Sequence, residues 1–109
     1  MALQEMNFTF ESSGAEAPPN IPKEWSHTGV VGSGDMEVLI RREDAAELKG
    51  KVKVKVTSPV SGYDDIWEKV LKKFVLESGL SGVSIEINDN NSTPFIVGMR
   101  LKQALMEAQ

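Results

Sequence analysis

Met36, Val38 and Ile40 alternate with Glu37, Leu39 and Arg41, and further on Val52, Val54 and Val56 alternate with Lys51, Lys53 and Lys55. A two-residue period sends successive side chains to opposite faces, so both runs predict strands, the second with one wet face. Thr28–Gly32 reads as the strand before Met36–Arg42, and Val83, Ile85 and Ile87 alternating with Ser84, Glu86 and Asn88 predict another. Met6–Phe10 alternates more briefly and is a candidate short strand. The period then changes. Tyr63, Ile66, Trp67, Val70, Leu71, Phe74 and Val75 recur at helical spacing, with Ser61 and Asp64 resembling a capping box and Gly79 offering a left-handed stop. Asp64 and Asp65 sit at the positive end of that helix, and Asp65 is placed to pair with Lys69. Thr93-Pro94 opens a second helix whose apolar face is Val97, Leu101, Ala104, Leu105 and Ala108. The order predicts an α+β fold, a small mixed sheet of about four to five strands with two helices packed on one face.

Pro18, Pro19 and Pro22 with Gly14 make Ser12–Lys23 a linker. The expected organisation is an N-terminal extension over residues 1–27, carrying the candidate strand and this linker, and a single α+β domain over residues 28–109. At 109 residues, with 40% hydrophobic and 26% charged residues, the chain is long enough for one core. The net charge of −4 argues against nucleic acid as a partner, because such binding neutralises phosphates with a basic surface. No run reaches the length of a membrane span, and the first 26 residues lack the pattern of a signal peptide. With no cysteine, disulfides and thiolate metal sites are excluded, and a cytoplasmic location is expected.

The candidate chemistry sits between the first two main strands, in Gly29-Val30-Val31-Gly32-Ser33-Gly34-Asp35. Gly32 and Gly34 present no Cβ beside Ser33 and allow backbone angles that turn its hydroxyl outward. A plain glycine-rich hairpin turn would look the same. A serine hydrolase is disfavoured, since Val31 and Asp35 occupy the outer positions of the G-x-S-x-G elbow and His27 is the single histidine. No phosphate-binding G-x-x-x-x-G-K-[ST] loop is present. A covalent carrier site fits better, because a carrier needs an exposed hydroxyl on a small stable body and no pocket, metal or general base of its own. A small adaptor domain indifferent to Ser33 stays open beside it.

The stretch Gly29–Val38, the valine strand Lys51–Thr57, the segment Val83–Asp89, and Thr93-Pro94 leading into Val97-Gly98-Met99-Arg100-Leu101 together resemble the acyl carrier (delta) subunit of malonate decarboxylase, over about residues 28–108. The citrate lyase acyl carrier subunit is similar in size, element order and its Ser-Gly-Asp core. Val30-Val31-Gly32 before the serine and the leading extension favour malonate decarboxylase. The resemblance implies that Ser33 is the attachment point, with Gly32, Gly34 and Asp35 forming its loop. The implied cofactor is 2'-(5''-phosphoribosyl)-3'-dephospho-CoA, a phosphoribosyl-dephospho-coenzyme A joined through a phosphodiester, whose thiol carries acetyl and malonyl as thioesters. The implied partners are the transferase (alpha) and decarboxylase (beta/gamma) subunits, together with the prosthetic-group and malonyl transferases. The chain itself would carry and not catalyse. The logic is tethering, in which a covalent arm replaces diffusion of a free thioester with a high effective concentration at each active site. Acyl carriers built as four-helix bundles with an Asp-Ser-Leu motif are excluded, since that triplet is absent and strands are evident.

Asp35 and Glu37 could orient a modifying enzyme or stand as solvated hairpin carboxylates. Lys49, Lys51, Lys53 and Lys55 with Arg41 and Arg42 form a basic stripe, expected mainly to protect an edge strand and alternatively to hold phosphates or an acidic partner. Asn88–Ser92 lacks the glycine and closing glutamate of a calcium loop and reads as a turn before the second helix. Trp25 and Phe95 are partner-docking candidates if exposed.

Overall fold

The computed structural model describes residues 3–11, 25–29, 35–43, 50–59, 62–90 and 94–108. Five strands and two helices follow in the order β1 (Gln4–Glu11), β2 (Trp25–Gly29), β3 (Asp35–Arg42), β4 (Lys51–Ser58), α1 (Asp64–Ser78), β5 (Val83–Asn90) and α2 (Pro94–Ala108). The strands form one mixed sheet in the order β1-β4-β5-β3-β2, in which β4 and β5 are parallel and every other pair is antiparallel. This is the expected α+β architecture at five strands. The candidate strand near the start of the chain is β1, an edge strand of this sheet. Its residues Met6, Phe8 and Phe10 pair with Val56, Val54 and Val52, and Met6 is buried.

Alternation decides which face is wet. Met36, Val38 and Ile40 of β3, Val52, Val54 and Val56 of β4, and Val83, Ile85 and Ile87 of β5 all point to one side, where they are almost completely buried. The helices cover that side, Trp67, Leu71 and Val75 from α1 and Val97, Leu101 and Ala104 from α2 completing one core. Parallel β4 and β5 need a crossover between them, and α1 supplies it. Gly79 ends α1 in the left-handed conformation at φ 70°, its N–H bonding to the Val75 carbonyl, as its sequence position predicts.

Several local expectations are revised. The first strand of the central hairpin begins at Trp25, ahead of the expected start at Thr28, because its register with β3 begins at Trp25 opposite Arg41, and residues 30–32 lie outside the described ones. Ser26 and Thr28 are consequently buried under α2, and the Thr28 hydroxyl donates to Glu107 in the last turn of that helix. Tyr63 and Ile66 belong to the apolar stripe of α1 yet stay about half exposed, since the stripe is wider than the face that meets the sheet. The N-cap of α1 is Tyr63, without a side-chain cap bond, and Ser61 lies outside the described residues. The i,i+4 ion pair found on α1 is Lys73–Glu77 at 3.9 Å. Asp89 and Asn90, expected in a turn, extend β5 beyond Asn88 because each finds a partner on β3, and Asn91 and Ser92 lie outside the described residues. The lysine strand is no edge: β4 lies between β1 and β5, so its lysines line the open face of an interior strand.

Candidate functional site

Register fixes the strand ends that flank residues 30–34. Asp35, the first residue of β3, pairs with Asn90 near the end of β5, and Thr57 of β4 pairs with Asn88. The ends of β2, β4 and β5 and the start of β3 therefore share one end of the sheet, and the connection 30–34 spans Gly29 to Asp35 there. Ser33, Gly32 and Gly34 lie outside the described residues. Asp35 is placed at the root of β3, while its side chain, like those of Trp25 and Phe95, lies outside the described ones.

The root of this loop is held on both faces of the sheet. On the open face, the Glu37 carboxylate accepts from the Asn88 amide of β5 at 2.8 Å and pairs with the His27 ring of β2 through Nε2 at 2.7 Å. These two side-chain hydrogen bonds, the His27 bond foremost, hold the Glu37 carboxyl below its ordinary value, partial burial opposing them. One carboxylate thus ties three adjacent strands together two residues beyond Asp35. On the helix-covered face, the buried Ser58 hydroxyl donates to buried Asp89 at 2.8 Å, joining the ends of β4 and β5. Neither tie was legible in the sequence. His27 looks like an isolated residue at the edge of a linker until β2 is known to begin at Trp25. The Glu37–Asn88 contact further requires that β3 and β5 be neighbours.

His27 is therefore a strand residue whose Nε2 faces Glu37 across the hairpin, and not a linker residue. The open face also carries Arg41, Lys51, Lys53 and Lys55 of the basic stripe, whereas Arg42 alternates to the other face of β3 and Lys49 lies outside the described residues. Lys55 pairs with Glu5 and Glu86 at 4.0 and 3.7 Å, and Ser84 donates to Glu43 at 2.9 Å. No helix of the described residues is long and apolar enough to cross a membrane.

A one-faced mixed sheet, with both helices on its other side and side-chain ties at one end, defines a small α+β domain. Residues 23–108 match the sequence profile of the malonate decarboxylase delta subunit (MdcD). The chain is 50% identical over 107 residues to the malonate decarboxylase acyl carrier protein of Malonomonas rubra, covering 98% of this chain and 90% of that one. It is 32% identical over 103 residues to the malonate decarboxylase acyl carrier protein of Acinetobacter calcoaceticus, with 94% of each chain covered. Among solved structures, a chain in the crystal structure of a Pseudomonas malonate decarboxylase hetero-tetramer in complex with malonate superposes with a TM-score of 0.80 at 27% identity. The superposition covers 97% of this chain and 99% of that one. The chain belongs to the malonate decarboxylase delta subunit family, the acyl carrier subunits of that decarboxylase.

Proposed function

We propose that this chain serves malonate decarboxylation as a non-catalytic carrier, with a phosphoribosyl-dephospho-coenzyme A group attached through a phosphodiester to Ser33. The observation that carries the reading is the 50% identity over 98% of the chain to an acyl carrier protein of malonate decarboxylase. Its match to one chain of a hetero-tetramer supports work within an assembly. The partners in this reading are the transferase (alpha) and decarboxylase (beta/gamma) subunits, and the enzymes that load the carrier.

The residues described fit such a role. The Glu37 and Ser58–Asp89 ties fix the end of the sheet at Gly29 and Asp35, between which Ser33 lies in the sequence. Glycine on either side of Ser33 in the sequence adds no Cβ to bar a partner from the hydroxyl. Arg41 and Lys53 on the open face suit a group rich in phosphate. The attached group would supply the thiol on which acyl units ride.

The test is the intact mass of the chain co-expressed with its modifying enzymes, beside Ser33→Ala. The expected result is a mass increase of one phosphoribosyl-dephospho-coenzyme A in the parent and none in the variant. An unmodified parent from cells that express those enzymes would overturn the reading, leaving an adaptor role. Malonate, and not citrate, should determine which acyl group appears on the thiol.

A further inference from the structure

A depression of about 260 Å³ lies on the open face of the sheet, lined by Leu39, Arg41, Lys53, Lys55, Ser84 and Glu86 among others. Its cations are of two kinds. Lys55 is already paired with Glu5 and Glu86. The Arg41 guanidinium and the Lys53 ammonium have no carboxylate partner among the described residues, in a chain that holds 16 acidic against 12 basic residues. These two charges are aligned. Arg41 and Lys53 both pair in register with Ser84, one from each side, so the three residues form a single row across β3, β5 and β4. With adjacent strands about 4.8 Å apart, the two backbones stand roughly 10 Å from each other, and both side chains are long enough to meet over Ser84.

We propose that this row binds a diphosphate, and that in the loaded protein its ligand is the diphosphate of the arm carried on Ser33. The second clause rests on the function proposed above. Two cations about one strand-width either side of Ser84, whose own hydroxyl is taken up by Glu43, match two linked phosphoryl groups, the guanidinium fork engaging one and the ammonium the other. Glu43, bonded to Ser84, and Glu86, paired with Lys55, border the row, so an anion reaches the two cations only if it fits between them. The location suits a tethered group. Arg41 lies six residues along β3 from Asp35, roughly 20 Å from the attachment loop and on the same face as Glu37. Gly29, opposite Glu37, adds no side chain at the loop end of that face. Two solvent-exposed cations give weak affinity for a free ligand, but a short tether supplies an effective concentration on the order of millimolar, enough to populate a weak site. Docking the diphosphate there would hold the middle of the arm against the sheet and leave its far end to reach a partner.

The site can be tested without loading the chain. The full-length Ser33→Ala chain, titrated with inorganic diphosphate and separately with 3'-dephospho-coenzyme A, should show saturable amide shifts centred on Arg41, Lys53 and Ser84 in an NMR spectrum. Affinity should be millimolar, should fall as salt is raised, and should drop at least ten-fold in Arg41→Ala/Lys53→Ala. Shifts centred elsewhere, or affinity unchanged in the double variant, overturn the proposal. Saturation by an acidic peptide with none by diphosphate also overturns it, assigning the face to a protein segment. In the loaded chain, the phosphorus resonance of the diphosphate should move between the parent and the double variant at equal mass. Because the titration uses a chain that cannot be loaded, its result and the Ser33 mass result stand or fall separately.

Discussion

Glu37 shows how a side chain that looks solvated in the sequence becomes a structural fastener. Its folded-state carboxyl is held below the ordinary value of 4.5 by His27 and Asn88. A depressed carboxylate contributes stability that is present above its unfolded value and is lost as pH falls through the folded one. Glu37→Gln should therefore cost about 0.5–1 kcal/mol at pH 7, a modest figure because His27 is 44% exposed and solvent screens the pair. The difference between parent and variant should vanish in acid below that folded value, which urea midpoints measured at both pH values will show. The Ser58–Asp89 bond predicts a larger effect from a smaller change. Ser58 is fully buried and Asp89 nearly so, so Ser58→Ala removes a donor where no water replaces it and should cost about 1–3 kcal/mol by the same measurement. These three contacts escape a reading of the sequence because their partners lie 10, 31 and 51 residues apart and meet only through strand order.

At the scale of elements, local chemistry and tertiary packing divide the work. Gly79 was readable because a left-handed residue after a helix has one easy solution. An added Cβ there would meet nothing within 4 Å, so the cost of Gly79→Ala comes from the backbone alone, about 1 kcal/mol, and Gly79→Asn should recover part of it. Thermal melts of the two variants will rank them. Ile85, on a strand with neighbours on both sides and helices above, is 1% exposed, and Ile85→Ala should destabilise by about 2–5 kcal/mol with little change in urea m-value. The valine strand illustrates the limit of local reading. Alternation gave β4 its wet and dry faces correctly, but lysines spaced by two look alike on an edge strand and on the open face of an interior one. Only the partner on the far side, β1, distinguishes them.

For the whole molecule, that partner has a consequence. Removing residues 1–11 would take away β1, unpair the β4 backbone from Gln4↔Ser58 to Glu11↔Lys51, and uncover Val52, Val54 and Val56 beside Met6, Phe8 and Phe10. The truncated chain should lose cooperative unfolding or aggregate through its new edge, which circular dichroism melts and size-exclusion chromatography will report. A chain truncated this way that melts like the parent would show that β1 adds little to the core.

The sequence by itself determined the periods, hence the strands and helices, the single wet face and the α+β class, because side-chain alternation and helix termini are fixed by neighbours within a few residues. It also carried the family, through motifs that are contiguous in the chain. The tertiary structure alone decided strand order, the inclusion of β1, the burial of Ser26 and Thr28, and the ties at Glu37 and Asp89. It likewise set Arg41 and Lys53 on one row across Ser84. Each of those depends on which strands lie side by side, and adjacency in a sheet is chosen by the burial of the whole apolar surface, a sum that no local segment contains.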